Sequence, residues 1–376
     1  MRVTDEDAVA GRPPPAEEIT ESHVSDLATV RARMGQRTLL EFSNPTGRRN
    51  NNEGRTKQRE DFVPDQFASI PWGDPVASGT ETKKNEIFRV ISHNVDGLSS
   101  SDQKADVLHF MKAIADKAVA VFGIQEPNRN FEQNEVRESF HRIVNKASTH
   151  HHGSVSSAKM NWPQEYQPGG TAVSIRNKWA TRYLDKGSDE LGRWSWVTIE
   201  GQGKTRITFI SAYRVCDGAS EAPLTSRTVR AQQEWMYADR GQATVNLRQQ
   251  FVIDLIALLT KWQTQGHDMV VMMDANEPAG PGSASDRLIY ACGLTDAHKR
   301  ENELVDPPPT HQRGRKKIDF VLVSQRLVNA IKARSILPIH DGYLSDHRAL
   351  LVDFDSGVLF SGPTSEVVAP HARQLT

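Results

Sequence analysis

The sequence predicts an α/β domain built on stacked β-sheets, and three observations carry that expectation. Many short apolar runs read as strands. Few segments carry a helical period. Several of the runs end in Asn, Asp, Glu or His where a loop should begin. With 376 residues the chain is long enough to bury a large core.

From Met1 to about Asn85, Pro, Glu, Arg, Asn and Thr dominate without apolar periodicity, so residues 1–85 are expected to form a disordered tail. Within it, Arg48, Arg49, Arg55, Lys57 and Arg59 form a basic stretch. Its plain reading is a solvated tail; the sharper one is a phosphate contact or a nuclear import signal. A folded domain is expected over 86–355, and a second tail rich in Gly, Pro and Ser over 356–376.

Ile87-Phe88-Arg89-Val90-Ile91-Ser92 reads as a strand running into Asn94-Val95-Asp96-Gly97-Leu98, where a turn at Gly97 leaves Asn94 and Asp96 at the strand end. Ser101 can cap a helix whose Val107, Leu108, Met111, Ile114 and Ala115 follow the 3.6-residue period. Val119 to Ile124 then reads as a buried strand. Further strands are expected at Thr171–Arg176, Trp194–Ile199, Arg206–Tyr213, Met269–Met273, Ile318–Val323 and Ala349–Phe354, and a helix should carry Phe251, Leu255, Leu258, Leu259 and Trp262.

Composition excludes several classes. Lys and Arg number 46 against 47 Asp and Glu, so a net charge of -1 provides no whole-chain field for a polyanion, and any nucleic-acid contact must be local. Cys216 and Cys292 make neither a disulfide framework nor a zinc-finger spacing. No apolar leader opens the sequence and no apolar run is long enough for a bilayer, so the expectation is a soluble intracellular protein with no membrane and no evident protein partner.

Six motifs share the polar strand end: Asn94-Val95-Asp96-Gly97, Ile124-Gln125-Glu126, Ser211-Ala212-Tyr213, Met273-Asp274-Ala275-Asn276, Ile318-Asp319-Phe320 and Leu344-Ser345-Asp346-His347. Singly, each is an ordinary cap or turn. Together they place several carboxylates at one crevice, where they repel unless a hard divalent cation neutralises them. Mg²⁺, or Mn²⁺ in its place, suits oxygen ligands and leaves room for a phosphate oxygen.

In order and spacing these motifs resemble the endonuclease/exonuclease/phosphatase superfamily over roughly Glu86 to Phe354. Asn94-Val95-Asp96-Gly97-Leu98 resembles the first motif of its apurinic/apyrimidinic endonucleases, Gln125-Glu126 the metal-binding pair, and Asp274-Ala275-Asn276 its Gly-Asp-Phe-Asn block. Ile318-Asp319-Phe320 and Ser345-Asp346-His347 resemble the closing pair. The resemblance implies a DNase I-like four-layer α/β sandwich with two central, mostly antiparallel sheets. It also implies metal ligation by Glu126 with Asp96, Asp346 and Asn94, and a catalytic set of Asp274 as base, Asn276, Asp319, His347 and Tyr213. Two departures stand out. Arg214-Val215-Cys216-Asp217 follows Tyr213 where the family usually has Pro or Asn, and Met273 and Ala275 flank Asp274 where Gly and an aromatic or Leu are usual.

Arg313-Gly314-Arg315-Lys316-Lys317 leads into Asp319, and Arg315, Lys316 and Lys317 are expected to grip a phosphate backbone. His150-His151-His152 could bind a transition metal but reads as loop, and Trp194 and Trp196 share a strand face that suits core packing. The expected function is Mg²⁺-dependent phosphodiester hydrolysis, with DNA as partner, closest in look to endonuclease domains of non-LTR retroelements. Two alternatives stand: a phosphatase or phosphodiesterase acting on a phosphoinositide, sphingolipid or nucleotide, and a catalytically silent retroelement-derived binding protein. The segments Asn128–Gln167 and Asp217–Asn246, which could separate them, carry no legible motif.

Overall fold

In the computed structural model the chain is described for residues 67–99, 104–217, 228–299, 306–339, 341, 343 and 345–360. The basic stretch at 48–59, most of the expected N-terminal tail, Ser101, Leu344 and residues 361–376 lie outside them.

Two elements precede Glu86. Strand β1 (Trp72–Gly73) is followed by helix α1 (Gly79–Lys84), whose N-cap Ser78 and Glu81 form a reciprocal capping box. The chain continues through β2 (Ile87–Asn94), α2 (Ala105–Asp116), β3 (Val121–Gln125), α3 (Asn134–Lys146), β4 (His151–Ser156), β5 (Thr171–Arg176), β6 (Tyr183–Ser188), β7 (Trp194–Glu200) and β8 (Arg206–Tyr213). Then come α4 (Val229–Asp239), α5 (Leu247–Thr264), β9 (His267–Asp274), α6 (Ala284–Cys292), β10 (Leu294–Asp296), β11 (Asp319–Ser324), α7 (Gln325–Val328), β12 (Ile331–Ile336), β13 (Leu350–Asp355) and α8 (Ser356–Phe360).

The strands form one sheet ordered β1-β12-β13-β2-β3-β5-β4 and another ordered β10-β11-β9-β8-β7-β6. Pairing is antiparallel except for β2 with β3 and β8 with β9. Strand alternation sends Val90, Val121, Phe209, Met272 and Val321 into the apolar layer between the sheets. Their neighbours face outward: Ile91, Phe122 and Leu351 pack under Val107, Phe110, Phe140 and Ile143 of α2 and α3. On the other sheet Ile210, Val271, Met273 and Phe320 pack under Phe251, Leu255, Leu259 and Leu288 of α5 and α6. The result is the four-layer α/β sandwich with two mostly antiparallel sheets. Gly123 sits where the sheets approach closely, since a Cβ there would lie 2.6 Å from Met272 Cε and 3.2 Å from Ser211 Cβ.

The charged Arg89 on central strand β2 is wholly buried because Asp353 on β13 receives its Nε and Nη2 protons at 2.7 Å each, while Nη1 donates to the carbonyls of Ala77 and Lys117. Full pairing of this kind makes a buried charge tolerable. Of residues 150–152, read as loop from the sequence, His151 and His152 open edge strand β4 instead, where backbone pairing with β5 fixes them, and His150 just precedes it. His141 Nδ1 and His151 Nε2 are 3.0 Å apart, and His152 stacks on Tyr183. Trp194 and Trp196 pack edge-on against Phe251 and Trp262 of α5, as core packing required.

A pH dependence of stability follows from buried His298. Its Nε2 donates to the carbonyls of Ser335 and Leu351, and burial together with the Lys317 charge lowers its pKa to about 4. The unfolded chain, titrating near its ordinary value, binds the proton more readily between about pH 6.5 and 4, so the stabilisation is complete above pH 6.5 and lost as pH falls through that window. The loss is on the order of 3 kcal/mol. Urea midpoints across this range should fall more steeply for the wild type than for His298→Gln; equal slopes would refute the assignment.

Candidate active site

The two parallel pairs end side by side. Asn94 stands opposite Gln125 at the ends of β2 and β3, Tyr213 stands opposite Asp274 at the ends of β8 and β9, and Asp319 opens β11 opposite Asp274. Ligand sites of open α/β sheets lie at such carboxyl ends. The chain turns sharply there: Asp96, Glu126 and Asn276 all have positive φ, at 42°, 51° and 49°. For a residue such as Glu this conformation costs roughly 1–2 kcal/mol, a strain that clusters where side chains must be aimed.

Asn94 links the two halves. Its Nδ2 donates to Glu126 Oε1 at 3.0 Å and to Asp274 Oδ2 at 2.8 Å, while its Oδ1 accepts from the Asp96 backbone N–H. The Asn94 side chain is thus committed to aligning carboxylates. Asp274 is fully buried and also accepts from the Asn276 backbone N–H at 2.8 Å. Burial and the Asp319 charge raise its pKa. Asn276 Nδ2 donates chiefly to the Arg214 carbonyl at 2.8 Å, so this amide braces the loop more than it addresses a substrate. The buried Tyr213 hydroxyl bonds Glu126, and burial with the charges of Glu126 and Asp274 holds its proton on well above the usual phenol range.

His347 completes the floor. Its Nδ1 lies 3.0 Å from Asp319 Oδ2, and its Nε2 is 4.0 Å from Asp346. Burial opposes the charge, but the Asp319 carboxylate overcomes it and raises the pKa to about 10, so the ring is an imidazolium with Nε2–H available as a donor. Asp319 is itself fixed by Thr310, whose Oγ1 accepts from the N–H groups of Ile318 and Asp319. Ser345 Oγ donates to the Asn94 carbonyl at 2.6 Å and accepts from the His347 N–H.

Asp96 and Asp346 stand at the more open rim. Asp346 raises the pKa of Asp96 after burial does, and Asp96 adds to the burial that raises Glu126. Among the described residues neither Asp96 nor Glu126 has a Lys or Arg ion-pair partner. Oxygen donors of this kind suit a hard divalent cation, and Glu126, Asp96 and Asp346 are the carboxylates that could hold one. His311, absent from the sequence-derived set, joins the same rim. It pairs with His347 across an isolated β-bridge, and its Nε2 lies 3.2 Å from Asp346. Ligand atoms of His311, Asp346 and His347 fall within 4.8 Å of one another, as do those of Asp274, Asp319 and His347. The first group mixes imidazole with carboxylate and would also accept a transition metal.

One expected contact is corrected. Lys317 is 9% exposed, its ammonium 2.5 Å from Asp296 Oδ2 and over the Phe320 ring, so it neutralises a buried carboxylate on β10 and does not reach for substrate. Arg315 and Lys316 remain exposed on the loop before Asp319.

No family model and no curated protein matches the chain. Solved structures do. AP endonuclease LMAP from Leishmania major is 13% identical, covering 79% of this chain and 96% of that one, with a TM-score of 0.53. The human Nocturnin catalytic domain with bound sulfate is 16% identical over 71% and 93%, TM-score 0.49. The endonuclease domain of TRAS1, a telomere-specific non-LTR retrotransposon, is 15% identical over 71% and 98%, TM-score 0.42. The likeness to the Leishmania enzyme establishes the fold as the DNase I-like one that the six motifs implied. No helix among the described residues is long and apolar enough to cross a membrane.

Proposed function

We propose that this chain is a divalent-metal-dependent phosphodiester hydrolase acting on nucleic acid, with DNA the favoured substrate. The observation that carries the reading is a pair of hydrogen-bonded sets drawn from both sheets, Glu126–Asn94–Asp274 and Asp319–His347, with bonds of 2.8–3.0 Å and with ligand atoms of Asp274, Asp319 and His347 within 4.8 Å of one another. A structural cap or turn has no need of such a set, whereas phosphoester cleavage needs an acceptor for a water proton and a cationic donor for phosphate.

Glu126, Asp96 and Asp346 would hold the cation, which would supply Lewis-acid polarisation of the phosphoryl oxygen and charge neutralisation at the leaving group. The chain's own groups do the rest. Asp274 Oδ2 orients the attacking water and takes its proton. His347 Nε2–H donates to a non-bridging oxygen and meets the charge that grows there, while Asp319 holds the ring in register. Tyr213 and Asn94 keep Glu126 aimed, and Arg315 and Lys316 meet the flanking backbone. The AP endonuclease that shares the fold supports DNA as the substrate class. An endonuclease of retroelement type is the finer reading, supported by Asn94-Val95-Asp96-Gly97-Leu98.

Nicking of supercoiled plasmid and of an abasic-site duplex, with Mg²⁺ or with EDTA, tests the proposal. Metal-dependent cleavage is expected. Silence on both DNAs combined with metal-dependent release of phosphate from an inositol phosphate or nucleotide would move the substrate to the phosphatase class, and silence on every phosphoester would leave a binding protein.

A further inference from the structure

A strongly cationic concavity lies beside the site, not in it. Arg214, Arg230, Arg248 and Arg287 converge from four different elements onto a cavity of about 460 Å³, with Asp217 as the only carboxylate lining it among the described residues. Arg214 directly follows Tyr213 at the end of β8, Arg230 comes from α4, Arg248 from the first turn of α5 and Arg287 from α6.

Among the described residues internal pairing balances this charge only in part. Arg214 and Arg248 share a single carboxylate, Glu277, at 2.7 and 2.8 Å. Arg230 has Glu234 at 3.6 Å on its own helix, and Arg287 has no ion-pair partner among the described residues. Guanidinium groups around one cavity repel one another unless an anion sits among them. The first turn of the 18-residue helix α5, N-capped by Asn246, adds its positive end to the same wall. Guanidinium forks match phosphate oxygens in pairs.

The pocket is also mechanically joined to the catalytic floor. The Arg214 N–H donates to the Asp274 carbonyl at 3.0 Å, Asn276 Nδ2 donates to the Arg214 carbonyl, and Arg248 Nη2 donates to the Asn276 carbonyl at 3.3 Å. An anion held there and a phosphate over His347 would therefore sit on opposite sides of one short loop.

We propose that this pocket takes a second phosphate of the nucleic-acid strand, one that flanks the scissile group and sets the strand's register over Asp274 and His347. The assignment rests on the hydrolase reading for its substrate class. It makes the departure at Arg214-Val215-Cys216-Asp217 a specificity feature: the residue after Tyr213 becomes part of a phosphate grip.

The test is equilibrium binding of a fluorescein-labelled DNA duplex to the full chain in EDTA, where no turnover occurs, for wild type, Arg230→Gln/Arg287→Gln and Arg230→Lys/Arg287→Lys. The Gln pair should raise Kd on the order of tenfold and lower the salt slope by about one. The Lys pair should keep the slope, because the charge remains. Unchanged Kd and slope in the Gln pair, or an equal loss of slope in the Lys pair, would overturn the assignment. A parallel titration with inorganic phosphate alone separates the sources: tight binding of free phosphate that the Gln pair abolishes, with DNA affinity untouched, would make the pocket a free-phosphate site and overturn it as well. A wild type that binds duplex yet never cleaves it with Mg²⁺ sinks the hydrolase reading and leaves the pocket standing. A cleaving wild type whose DNA affinity ignores the substitutions does the reverse.

Discussion

Replacing Glu126 with Gln lowers turnover about a thousandfold while the fold survives. The change removes one negative charge from the rim and alters shape hardly at all. The substituted amide oxygen can still accept from Asn94 Nδ2, so the bridge to Asp274 is retained. What is lost is the charge that holds the cation, and several kcal/mol of transition-state stabilisation go with it. A readout independent of activity accompanies this. Mg²⁺ should raise the wild-type melting temperature by preferential binding to the native state, and the variant should show no such rise. Full turnover in Glu126→Gln, or an undiminished Mg²⁺ shift, would remove Glu126 from the metal site.

The second large effect is expected at Asp274, where Asn lowers kcat by about 10²- to 10⁴-fold with little change in KM. Asp274 is buried and accepts hydrogen bonds from Asn94 and Asn276 on its two oxygens, of which Asn can keep one, so the substitution removes the proton acceptor and one brace while the Asp319–His347 pair stays in place. A loss expressed mainly in KM would mean that Asp274 organises substrate and takes no proton. Asp274→Asn is also the control for plasmid nicking, since a contaminating nuclease would be indifferent to it.

The strands that carry the site were legible because they are buried on both faces and therefore apolar throughout, with polar residues only where they end: Val119 to Glu126 and Met269 to Asn276 are the plainest cases. Edge strands were not. β4 begins His-His-Gly-Ser and β6 reads Tyr-Leu-Asp-Lys-Gly-Ser, compositions that suit exposed edges and resemble loops. Helix α3 does carry a readable signal, Val136, Phe140, Ile143 and Val144 buried on one face. His311 could not be found from spacing, because its place beside Asp346 depends on a bridge between two loops. Lys317 looked like its exposed neighbours Arg315 and Lys316, and only the distant Asp296 reveals that it is buried.

The order of strands has a consequence for synthesis on the ribosome. Central strand β13, which joins β12 to β2, is the last strand among the described residues, and His347 just precedes it. Asn94 emerges early but meets Asp274 only 180 residues later. A nascent chain thus carries an open sheet edge along β2 and an incomplete catalytic set until β13 has been made. The strand that seals the sheet is therefore the one whose arrival completes the site.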